Sequence, residues 1–115
     1  MGSDLEQTKS HQIKQKLQQI LDEQYADGDR RQIDEGSTWG GSGGGVKRAA
    51  SYASDAMRDP KPDESPVEYL ESIIEGIEAQ YLYYKDIEGD RDGYGKGTFV
   101  EIVRNAKSLL SPNSG

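Results

Sequence analysis

The residues best equipped for chemistry lie together in the last third of this 115-residue sequence. The stretch "YLYYKDIEGDRDGYGKGTFVEIVR", residues 81–104, sets Asp86, Glu88, Asp90, Asp92 and Glu101 among glycines and tyrosines. Closely spaced carboxylates can wrap a hard cation, and the calcium-loop pattern D-x-[DN]-x-[DN]-G-x5-E gives a template to test them against. Begun at Asp90, the pattern fits Asp90, Asp92, Gly95, Thr98 and Glu101, but puts Tyr94 at position 5 and Gly97 at position 8. Begun at Glu88, it fits Asp90, Asp92 and Gly93, then ends on Phe99, which cannot coordinate. Calcium binding through Asp90, Asp92 and Glu101 is therefore one alternative. A second is a plain turn, because glycine allows positive φ and aspartate stabilises turns through its own backbone. A third is an acidic surface for a partner, with a tyrosine beside it as an anchor.

Little else suggests a reaction. The chain has no cysteine and one histidine, His11, with no second ligand type near it in sequence. Thiol chemistry, disulfides and the usual zinc sites are thereby set aside. No nucleophile–base pair or phosphate-cradling glycine motif is recognisable, so neither an enzyme nor a cofactor is expected.

Charge is more informative. The formal net charge is −7. Residues 63–92 hold ten acids against Lys85 and Arg91, a net of −8, while the rest of the chain holds eleven acids and twelve bases, a net of +1. One segment supplies the whole excess. Such a field repels phosphate backbones and attracts basic proteins, so a basic protein partner is expected and direct nucleic-acid binding is not. No apolar run is long enough for a membrane span, and the first residues lack the apolar core of a signal peptide. A cytoplasmic protein without membrane contact is the expectation.

The elements that position these residues read as helices. Ile13, Leu17, Ile20, Leu21 and Tyr25 recur at helical spacing within residues 5–25, giving a narrow apolar stripe and an N-terminal helical unit over 1–26. Residues 27–45, ending in "GGSGGG", have the composition of a flexible Gly/Ser-rich linker. A helical core domain over 46–110 and a disordered tail over 111–115 complete the division. Within the core, 46–58 is a short alanine-rich helix with Val46, Ala49, Ala50, Ala53 and Met57 on one side, halted by "DPKPDESP".

Ser65, Pro66 and Glu68 then form an N-cap, N1 and N3 signature. Behind it, Val67, Leu70, Ile74, Ile77, Tyr81 and Tyr84 follow the helical period, with Ile73 and Leu82 widening the stripe. Glu68, Glu71, Glu75 and Glu78 repeat beside that stripe with no lysine among them. Like charges at this spacing cost a few tenths of a kcal/mol per pair, which a solvated face tolerates and a basic partner would explain. Tyr81–Tyr84 cannot all face inward, so Tyr83 is expected near the surface. The last helix reads from Thr98, with Glu101 closing a second capping box and Phe99, Ile102, Val103, Ala106, Leu109 and Leu110 inside. The fold class is therefore all-α, a small bundle of about four helices with a flexible linker after the first.

"LYYKDIEGDRDGYGKGTFVEIVR" and the helix before it, roughly residues 66–105, resemble the colicin and pyocin DNase immunity proteins, small acidic four-helix bundles that neutralise a basic nuclease toxin. The resemblance implies that Tyr83 and Tyr84 are a toxin-binding tyrosine pair and that Val100 and Val103 are apolar positions of the last helix. It also implies that Glu71, Glu75 and Glu78 face the toxin. A second segment, "STWGGSGGGVKRAASYASDAM", is similar to the Trp-x-Gly turn of helical-hairpin proteins exported by type VII secretion, with Trp39 and Gly41 at the hairpin tip and Tyr84–Glu88 as a Tyr-x-x-x-Glu export signal.

The function these readings point to is non-catalytic. It is an acidic protein-binding module, in its most concrete form an immunity-type inhibitor of a basic toxin. The partner would meet Glu71, Glu75, Glu78, Tyr83, Tyr84, Asp86, Glu88, Asp90 and Asp92. An EF-hand-like calcium module and an export or adaptor hairpin are the alternatives.

Overall fold

The computed structural model describes residues 2–35, 41–89 and 93–110. Four helices follow in order: α1 (Gly2–Glu35), α2 (Gly41–Ser54), α3 (Pro66–Glu88) and α4 (Tyr94–Ser108). The architecture is all-α, and every helix touches the other three. Among the described residues no helix is long and apolar enough to cross a membrane.

The core collects Leu17 and Leu21 from α1, Ala49 and Ala53 from α2, and Phe99, Ile102 and Ala106 from α4 around the inner face of α3. That inner face is Tyr69, Leu70, Ile73, Ile74, Ile77 and Tyr84. Three positions expected inside are outside: Val67, Leu82 and Leu110 are 52%, 61% and 38% exposed. Tyr69, outside the expected stripe, is buried, and its hydroxyl donates to the Arg58 carbonyl at 2.7 Å and so needs no water.

The start of α3 follows the sequence signature. The Ser65 hydroxyl accepts from the Glu68 amide, the Glu68 carboxylate accepts from the Ser65 amide, and Pro66 occupies the first turn. α3 ends on Gly89 at φ 78°, whose amide donates to the Lys85 carbonyl. The matching signature for α4 does not hold. α4 begins at Tyr94 behind Gly93 at φ 75°, four residues before Thr98. The Thr98 hydroxyl instead donates to the Tyr94 carbonyl at 2.9 Å, and Glu101 pairs with Arg104 at 3.0 Å.

The expected linker is also corrected. Residues 27–35 continue α1 and residues 41–45 open α2, while 36–40, with Trp39, and the tail 111–115 lie outside the described residues. Asp27 holds Arg30 and Arg31 one turn on, at 3.4 and 2.9 Å. Lys47 of α2 reaches back to Asp29 at 2.7 Å and Gln32 at 3.0 Å, and sits 5.0 Å from the centre of the Tyr25 ring. Gly43, Gly44 and Gly45 are buried rather than solvated.

Arg58 secures the α2–α3 connection. Its guanidinium donates to both Glu64 carboxylate oxygens, at 2.8 and 2.7 Å, to the Ser72 hydroxyl at 3.0 Å and to the Asp59 carbonyl at 3.0 Å. The Ser10 hydroxyl of α1 donates to the Glu64 carbonyl, and Lys14 pairs with Asp59, so α1 is tied to the same connection. The Arg58 hydrogen bonds, opposed by burial and helped by the Lys61 amide, lower the Glu64 carboxyl from an ordinary 4.5 to about 2. A depressed carboxylate pKa stabilises the fold fully above the unfolded value and is lost as pH falls through the folded one. Stability should therefore drop by about 1–3 kcal/mol between about pH 4.5 and 2, after allowance for solvent around Arg58. Denaturant midpoints across that window should show the drop in the parent and a flatter profile in Glu64→Gln.

Candidate functional site

α3 and α4 form an antiparallel hairpin whose register is set by aromatic contacts. Tyr84, 1% exposed, lies in the core with its ring edge-on to Tyr52 at 5.3 Å and 5.4 Å from Phe99. Tyr81 is half-buried, 5.2 Å from Phe99. Tyr83 is 57% exposed and touches only the flank of this cluster, 5.8 Å from Tyr52. The expected tyrosine pair is thus divided: Tyr83 is available to a partner and Tyr84 is not. Burial of Tyr84 also removes it from a surface-read export signal.

On the outer face of α3, Glu68, Glu71, Glu75, Glu78 and Asp86 are all exposed, as expected. Leu82 lies among them, four residues from both Glu78 and Asp86 and therefore on the same face. It is a missed member of the surface, taken from sequence for a core residue because it follows the apolar stripe closely. Glu88 departs from the expectation. It pairs with Arg48 at 3.1 Å and accepts from the Tyr52 hydroxyl at 3.4 Å, so α2 holds it. Burial and the nearby Glu88 carboxylate push the Tyr52 phenol above its usual value, which keeps it a donor. Asp90 and Asp92 lie outside the described residues.

The calcium reading loses its loop. From Tyr94 onward the chain is helical, so most of a twelve-residue loop begun at Asp90 would be α4 backbone. Thr98 and Glu101, its ninth and twelfth positions, have the intrahelical partners already described. Among the described residues no three His, Asp or Glu side chains are grouped to hold a metal.

Beside the acidic face runs a second surface that the sequence reading missed. α4 presents Lys96, Val100, Arg104 and Lys107 outward, with Val100 47% exposed. Between the two faces lies an open groove of about 420 Å³, floored by Tyr81, Phe99 and Val103 and bounded by Glu78 on one side and Lys96, Arg104 and Lys107 on the other. The signal was present in the spacing 96, 100, 104, 107, one stripe of a helix. It was masked because the bases of α4 were averaged with acids elsewhere. The hairpin therefore offers a mainly acidic α3 face, with Lys85 at its C-terminal edge over the Tyr81 ring, beside a basic stripe on α4, and each carries an exposed aliphatic residue.

No protein-family model, curated protein or solved structure matches the chain. The segment that carries the resemblance to exported hairpins includes Trp39, which lies outside the described residues, and α2, which does not. However, α2 ends at Ser54, whereas those hairpins carry a long second helix.

Proposed function

We propose that this chain is a non-catalytic protein-binding module that captures a basic polypeptide on the outer face of α3. The observation that carries the reading is the exposed line Glu68, Glu71, Glu75, Glu78 and Asp86, with Leu82 and Tyr83 beside it and Lys85 the one base of α3, at the C-terminal edge of that face. Carboxylates steer a basic partner in and set its register, while a large exposed side chain supplies the desolvated contact on which affinity depends. Neutralisation of a basic nuclease toxin is the most concrete form. The support for it is the acidic α3 face and exposed Tyr83 within a small four-helix bundle; buried Tyr84 has no part in it.

The test is capture from source-cell lysate at low salt by the parent, by Tyr83→Ala and by Glu71→Lys/Glu75→Lys, with identification of the retained proteins by mass spectrometry. A basic protein held by the parent, released by salt, lost on charge reversal and weakened roughly tenfold or more by Tyr83→Ala supports the reading. If that protein is a nuclease, its activity should fall as this chain is added. Retention of the same proteins by all three, or of none by the parent, overturns the proposal.

A further inference from the structure

We infer that the basic partner covers the flank of α3 that turns toward α2, not the flank toward α4, and that Ile87 is its second apolar anchor beside Tyr83, an inference that rests on the proposed function. Contacts on either side orient α3 between its neighbours. Gly76 and Tyr83 mark the α2 side: a Cβ on Gly76 would stand 3.0 Å from the Cβ of Ala56, just beyond α2, and the Tyr83 ring lies 5.8 Å from Tyr52. Tyr81 marks the α4 side, 5.2 Å from Phe99, with Lys85 one turn on and over its ring. Glu71, Glu75, Glu78 and Asp86 run between these two edges, exposed and with no ion pair among the described residues.

The two flanks differ in charge. Toward α4 a partner meets exposed Lys85, Lys96, Arg104 and Lys107, with Glu101 paired to Arg104. A basic chain is repelled there, because like charges brought together across an interface oppose association. Toward α2 the bases are matched. Arg48 is paired with Glu88 at 3.1 Å and Arg58 with Glu64 at 2.7 Å, while exposed Asp55 stands near enough to Tyr52 to help raise its phenol. Glu64, Glu88 and Asp55 thus outweigh Arg48 and Arg58, and a basic chain is not turned away.

The α2 flank also carries apolar surface. Ile87 is 55% exposed and stands one turn after Tyr83, on the same face of the helix. Exposed Ala79 stands one turn before Tyr83, so no bulky side chain of α3 screens the ring from that direction. Two large exposed side chains beside four unpaired carboxylates fit an amphipathic basic segment. Its bases would follow Glu71, Glu75, Glu78 and Asp86, and its apolar side would rest on Tyr83 and Ile87, where desolvation supplies affinity. A segment with bases alone would leave Ile87 wet. Val100 of α4, 47% exposed, stands among bases and has no part in the contact.

The experiment is isothermal titration of the whole chain at low salt with two synthetic peptides of about 18 residues, roughly five helical turns. One sets leucines on one side of a helix and lysines on the other; the second has the same lysines with serine for leucine. The parent should bind the Lys/Leu peptide roughly tenfold tighter than the Lys/Ser peptide. Ile87→Ala should weaken the Lys/Leu peptide about fivefold or more, and Val100→Ala less than about twofold. Both variants should keep the parent's helicity by circular dichroism and its affinity for Lys/Ser. Equal affinity of the parent for the two peptides overturns the inference. So does an Ile87→Ala that binds Lys/Leu like the parent, or a loss in Val100→Ala as large as that in Ile87→Ala. In each of those cases the acidic face still stands as a binding site. If neither peptide binds the parent, or Glu71→Lys/Glu75→Lys binds both unchanged, the proposed function fails and the inference with it.

Discussion

Truncation of Tyr84 to alanine should remove about 4 kcal/mol of stability, while Tyr83→Ala, one residue earlier, should leave the fold within about 1 kcal/mol of the parent. The difference follows from burial. Tyr84 is 1% exposed, with Tyr52 edge-on to its ring and Phe99 on another side. Gly95 lies so close that a Cβ there would stand 2.2 Å from the Tyr84 hydroxyl oxygen, so α4 is built to approach this ring. Removing the ring empties a site that three helices enclose, and none can close over it without losing its other contacts. A domain this small has only about 5–15 kcal/mol in total, and Tyr84→Ala should bring it near the unfolding midpoint under mild conditions. Urea denaturation of the two variants checks this directly. Equal midpoints would mean that the ring is not part of the core. The functional consequence is practical: loss of a partner in Tyr84→Ala would report unfolding, and only Tyr83→Ala reports on the surface.

The comparison of the two capping signatures shows which parts of the fold could be read from sequence. Ser65-x-x-Glu68 and Thr98-x-x-Glu101 look alike, yet only the first opens a helix. Pro60, Pro62 and Pro66 stop α3 from extending backward, so the local signal had no competitor. Upstream of Thr98 stand Gly95 and Gly97, which lower helix propensity without forbidding helix. Tertiary packing decides there, because Gly95 is where the Tyr84 ring fits. The acidic face was legible for a related reason: exposure of Glu71, Glu75 and Glu78 follows from helical period alone once α3 is placed. The pairing of Glu88 with Arg48 and Tyr52 depends on how α2 crosses α3, and nothing local announces it. The same holds for the groove between α3 and α4, whose floor needs the Tyr81–Phe99 contact.

The glycine run gives the second large effect, because the reading as linker and the structure as helix predict opposite results for one substitution. In a solvated linker, Gly43→Ala would be neutral or slightly stabilising. In the bundle, a Cβ on Gly43 would lie 2.5 Å from the Gly28 carbonyl oxygen, 2.7 Å from the Gln32 amide nitrogen and 2.5 Å from the Gln32 side chain. Two of these are backbone atoms of α1, which cannot turn aside. The two helices would have to separate, straining the Lys47 contacts to Asp29 and Gln32 and the packing of the neighbouring buried glycines. Overpacking of this kind costs about 1–3 kcal/mol or more, and backbone contacts place it at the upper end. Alanine returns about 1 kcal/mol of helix propensity, so a net loss of about 2 kcal/mol is expected. Gly97→Ala is the matched control, since that glycine is also helical and its Cβ would meet nothing within 4 Å. It should gain about 1 kcal/mol from propensity alone. Thermal midpoints moving in opposite directions for Gly43→Ala and Gly97→Ala would place α1 and α2 in backbone contact. A gain at both positions would return residues 41–45 to the role of a spacer and detach α1 from the bundle at its far end.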